Sequence, residues 1–78
     1  MCCIIYRPKT AILTHSIATK AFVDNPDGWG IMWVQDGEIK IEKGFTIDDY
    51  MEAITQADDY DFVLHTRWAT HGAKNLAN

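Results

Sequence analysis

Seventy-eight residues, 47% hydrophobic and 12% aromatic, describe one domain with a modest core rather than a disordered segment. A formal net charge of −4, with seven basic residues that never form a run, argues against a surface built to track a phosphate backbone, so no nucleic-acid partner is expected. No stretch approaches the roughly 18 apolar residues of a membrane span, and the first residues lack the pattern of a secretory leader. A soluble, cytoplasmic chain with no membrane partner is the expectation.

In chain order, Cys2 to Tyr6 is a short apolar run closed by Arg7-Pro8, where proline withdraws a ladder donor. It reads as a buried, central strand with Cys2 at its first position. Ala11 to Val23 carries Ile12, Leu13, Ile17, Ala18, Ala21 and Phe22 near helical spacing, with Thr14 or Ser16 as caps. A helix is expected there. Asp24-Asn25-Pro26-Asp27-Gly28 is a turn by composition, and Trp29 to Gln35 is rich in β-formers. Asp36-Gly37 is a hairpin signal leading into Glu38 to Glu42, which puts Ile39 and Ile41 on one face. Thr46 is suited to an N-cap, Asp48 and Asp49 complement the helix dipole, and Ile47, Tyr50, Met51 and Ile54 mark a helix over 47–57. Asp61 to Thr66 is the last strand, too apolar at Phe62, Val63 and Leu64 to lie with both faces in water. The pattern predicts a single α+β domain over 1–78 with a mainly antiparallel sheet and one or two helices.

Two adjacent cysteines do not suggest a disulfide framework, since neighbours bridge only through a strained ring. Cys2, Cys3, His65 and His71 match a zinc ligand count, but successive strand residues point to opposite faces and chelate one ion poorly. No metal and no cofactor is therefore expected. Trp29 and Trp33 read as core, and Cys3 as a small buried hydrophobe.

Cys2 follows the initiator methionine directly. Removal of Met1 would leave a thiol and a free α-amine on one residue, and an amine of pKa about 7.7–8.0 can accept the thiol proton near neutral pH. The ordered set MCCII, NPDGWGIMW and HTRWATHG resembles the N-terminal nucleophile hydrolase domain of class II glutamine amidotransferases, and HTRWATHG is similar to the glucosamine-6-phosphate synthase branch. The resemblance implies a partial αββα fold and an attack by Cys2 on the side-chain amide of glutamine, with release of ammonia and a glutamyl thioester that water cleaves. By position it makes Cys2 the nucleophile and its α-amine the base. Arg67 matches the holder of the glutamine α-carboxylate, a task suited to a planar guanidinium. Trp68 to His71 match a loop that closes over glutamine, with Thr70 and His71 as contacts, and Asp27 to Gly30 match the segment packed behind the nucleophile.

The departures are specific. Cys3 stands where the family has glycine, and the family's downstream Asn-Gly oxyanion pair and amine-binding aspartate have no counterpart in the 78 residues, which span less than half of a family domain. Loss of one oxyanion donor costs about 100- to 1000-fold in turnover. The alternative is a truncated, non-catalytic relative acting as a binding or regulatory module. Half of a layered domain would also leave one apolar sheet face open, so a homo-oligomer or a completing partner chain is expected beside glutamine or a glutamine-like ligand.

Overall fold

Six elements appear in the computed structural model, which describes residues 2–68: β1 (Cys2–Arg7), α1 (His15–Asp24), β2 (Trp29–Gln35), β3 (Glu38–Gly44), α2 (Ile47–Ala57) and β4 (Phe62–Arg67). The strands form one antiparallel sheet in the order β1-β4-β2-β3. The last strand thus inserts between the first strand and the central hairpin. The α+β architecture expected from sequence is what is found, with two helices.

Each element follows from local chemistry. The hairpin turns at Asp36 and Gly37, both at positive φ (53° and 78°), the mirror-image turn whose twist matches its flanking strands. Thr46 Oγ1 accepts from Asp49 N at 3.3 Å to start α2, and Thr14 Oγ1 accepts from Ile17 N at 3.3 Å to start α1. α1 starts four residues later than the apolar spacing suggests, because Pro8 to Ala11 forms a turn closed by Ala11 N donating to Pro8 O at 2.9 Å. Gly44 faces Trp29 across the hairpin; a Cβ there would meet the indole Cζ2 at 2.6 Å, so the indole lies flat against bare backbone.

Both helices cover one face of the sheet. Trp29, Ile31 and Trp33 of β2 and Phe62 and Leu64 of β4 point into that layer and pack with Ala18, Tyr50, Ala53 and Ala57. Tyr50 has no exposed surface, donates its hydroxyl to Ala18 O at 2.7 Å and packs its ring on Phe22 and Trp29, tying both helices to the sheet. In α2 the buried stripe runs through Tyr50, Ala53 and Ala57, whereas Ile47 stays partly exposed. The small alanines let the helix approach the large aromatics of β2.

Arg7 ends β1 as a buried hub. Its guanidinium lies 4.5 Å above the Phe62 ring and donates to Asp58 O and Tyr60 O at 2.6 Å each, to Ala11 O at 3.2 Å and to the Asp58 carboxylate at 3.2 Å. The turn after β1 and the turn before β4 are pinned together by this one side chain.

The opposite sheet face carries no helix. Strand alternation sends Ile4 and Tyr6, Met32 and Val34, and Ile39 and Ile41 to that side, and all six are exposed. No helix among the described residues is long and apolar enough to cross a membrane.

Candidate functional site at the Cys2 end of the sheet

The apolar run Cys2–Arg7 is long enough for six ladder positions, and its register pairs Cys2 with Arg67, Cys3 with Thr66 and Ile4 with His65. β1 lies at the sheet edge, paired only with β4 among the described residues. The central position expected for it is thus corrected: apolar residues reach the helix layer only from its Cys3 and Ile5 side, and β4, with Phe62, Leu64 and Thr66 all buried, takes the inner place.

The loop from Asn25 to Gly28 is strapped to Arg67. Asn25 is buried; its backbone N donates to Phe22 O at 3.1 Å and its Nδ2 to Ala21 O at 3.2 Å, so the chain leaves α1 in a fixed direction. Pro26 bridges Arg67 in parallel sense, Asp27 N donates to Arg67 O at 2.7 Å, and Arg67 N donates to Gly28 O at 2.8 Å. Gly28 sits at φ 142°, a backbone region that side chains rarely adopt. Glycine at position 28 is therefore what the strap's backbone favours.

The strap has a geometric consequence. Both backbone hydrogen-bonding groups of Arg67 point towards the loop, so towards β1 Arg67 forms the narrow, non-hydrogen-bonded kind of antiparallel pair with Cys2. In such a pair the Cβ atoms stand about 5 Å apart on the same face. Cys2 is an exposed free thiol and Arg67 is half-buried, both on the face that bears no helix. His65 follows one row inward on that face, between Ile4 and Gly30. Trp68, 51% exposed, continues directly from Arg67. Thr70 and His71 lie outside the described residues.

Cys3 turns the other way. It is half-buried on the helix side and lines, with Ile5, Ile17 and Ala21, an apolar pocket of about 250 Å³. The hydroxyl of Tyr50 is pushed up to about 12 by burial and, secondarily, by the nearby Cys3 thiol, whose ionised form would repel a phenolate. The two thiols thus occupy separate chemical environments on opposite faces. Among the described residues no three His, Cys, Asp or Glu side chains gather as a metal site.

The register that seats Cys2 beside Arg67 was not legible in sequence, because it depends on which strands neighbour one another. The Asp24 to Gly28 turn was legible, yet its grip on the Arg67 backbone was not. The chain matches no family model, and no curated protein or solved structure is significantly similar to it.

Proposed function

We propose that the chain is a glutamine amidotransferase-like or glutaminase-like segment in which Cys2, freed at its α-amine, attacks the side-chain amide of glutamine while Arg67 holds the α-carboxylate. One observation carries this reading: the narrow Cys2–Arg67 pair, with the Asp27 and Gly28 backbone bonded to the other side of Arg67, brings one or two residues from each of three distant motifs together at one end of the sheet. An exposed thiol adjacent to a guanidinium suits a small substrate bearing a carboxylate at one end and an electrophilic amide carbon at the other. In the reaction the Cys2 sulfur bonds to the amide carbon, its proton passes through the α-amine to the departing ammonia, and water then cleaves the thioester to glutamate. The layered N-terminal nucleophile hydrolase fold belongs to the same proposal and is supported by the one-sided covering of the sheet.

The test uses chain whose intact mass shows loss of Met1, challenged with a diazo-ketone analogue of norleucine near neutral pH. Selective labelling of Cys2 over Cys3 is expected, because only Cys2 has an adjacent amine on the open face. Equal labelling, or labelling of Cys3 alone, would overturn the assignment. Glutamine at about 100 times its dissociation constant should stabilise the fold by roughly 2.7 kcal/mol, and Arg67→Lys should remove most of the shift in melting temperature. Stabilisation without ammonia release assigns the chain to the non-catalytic binding alternative.

A further inference from the structure

The uncovered sheet face is organised along the strand direction. At one end stand Arg67 and Lys43, with Asp27 in the loop behind them; at the other, Asp59 and Asp61 flank Lys9 around a groove of about 430 Å³ that Tyr6, Met32, Val34 and Ile39 also line. Between the two ends lies the apolar band of Ile4, Tyr6, Met32, Val34, Ile39 and Ile41, each 43–71% exposed.

The size of the band indicates an occupant. At roughly 80 Å² of apolar surface for each such side chain, the six offer about 500 Å². A standard protein interface covers about 800 Å² per partner and is a little over half apolar, which is about 450 Å². The face therefore holds the apolar content of one side of a complete interface. Its flat, pleated form matches another sheet, since stacked sheets pack about 10 Å apart with strands aligned to within about 30°.

We infer that this face docks a second copy of the chain, the two sheets stacking face to face about a twofold axis that runs across the strands. An axis across the strands reverses strand direction in the second copy and sets the Lys43 and Arg67 end of each protomer over the Asp59 and Asp61 end of the other. An axis along the strands would instead place each end against its own kind. The charge arrangement selects the first, and long side chains span the separation between sheets. The assembly would bury the apolar band between two sheets and leave both helix layers outside. Because it covers Cys2 and engages Arg67 across the interface, the dimer competes with glutamine for that end of the face, although the apolar band and the charged ends that support it do not depend on the glutamine reading.

Sedimentation equilibrium of the 78-residue chain at moderate salt tests it. A dimer with a micromolar dissociation constant is expected. Met32→Glu, at the centre of the band, should weaken association at least about tenfold, because it buries a charge with no partner. Ile41→Ser, on an edge strand and already half exposed, should act in the same direction with less risk to the fold, which circular dichroism checks. Ile12→Glu, exposed in the turn before α1, should leave association unchanged. Asp59→Lys and Arg67→Asp, which this axis brings together because it sets each β4 over the partner's β4, should each weaken the dimer about 3- to 10-fold, and the double variant should return close to the wild-type constant. A monomer at 200 µM (about two hundredfold above a micromolar constant) overturns the proposal. Equal losses from Ile12→Glu and Ile41→Ser overturn it as nonspecific association, and a double variant weaker than either single one overturns the axis.

Discussion

Tyr50 shows how much one side chain decides. Its ring fills the junction of both helices with β2, and its hydroxyl satisfies Ala18 O, so a polar atom is buried at little cost. Because burial raises the hydroxyl from its ordinary 10.0 to about 12, the neutral form is favoured by the fold. The unfolded chain then ionises first as pH rises. The stability from this group is complete below pH 10 and is lost between pH 10 and 12, on the order of 2–3 kcal/mol. Tyr50→Phe should cost about 1 kcal/mol at pH 7 by removing the hydrogen bond to Ala18 O, and should flatten the alkaline part of the stability curve. Urea titrations at pH 8 and pH 11.5 read both effects; an unchanged alkaline loss in the variant would assign that loss to other groups.

Elements with strong local chemistry were fully legible. The span of α2 follows from a capping threonine, two acidic residues in its first turn and an apolar stripe, while Asp36-Gly37 can make little but the observed hairpin turn. β3 runs two residues beyond the alternation, to Gly44, because its ladder with β2 continues to Trp29 and favours a residue without a side chain there. Strand order was not legible, since Phe62 to Arg67 and Cys2 to Arg7 are equally apolar and only packing decides which is inner. Arg7 was unremarkable in sequence for a related reason: its acceptors Asp58 O and Tyr60 O lie more than fifty residues away. Arg7→Met keeps the apolar stem but removes the donor to three carbonyls, whereas the exposed Asp58 carboxylate stays in water. It should destabilise the fold by about 2–4 kcal/mol by chemical denaturation, and Arg7→Lys should recover only part, lacking the planar fork. A loss under about 0.5 kcal/mol would mean that water replaces the guanidinium.

Across the whole molecule, the two faces of one sheet do different things. One is sealed by helices, buries two tryptophans and accounts for the fold; the other presents a thiol, a guanidinium and an apolar band to whatever lies outside. The motif order in sequence pointed to Cys2 and Arg67 but not to their sharing a ladder position, nor to Cys3 being turned away from them.

The insertion of β4 between β1 and β2 governs the order in which the molecule can be made. The hairpin and α2 close contacts between near neighbours and can form early, whereas β1 has no ladder partner until Phe62 to Arg67 is present. During synthesis Cys2 emerges some sixty residues before its ladder partner Arg67 and is seated only after β4 forms. A chain cut after Asp61 should keep the Asp36-Gly37 hairpin signals in NMR spectra yet lose cooperative thermal unfolding; retained cooperativity would show that β1 finds another edge. Cys2 therefore gains its arginine neighbour only when the sheet is complete, and a nascent or partly folded chain carries the exposed thiol without a guanidinium beside it.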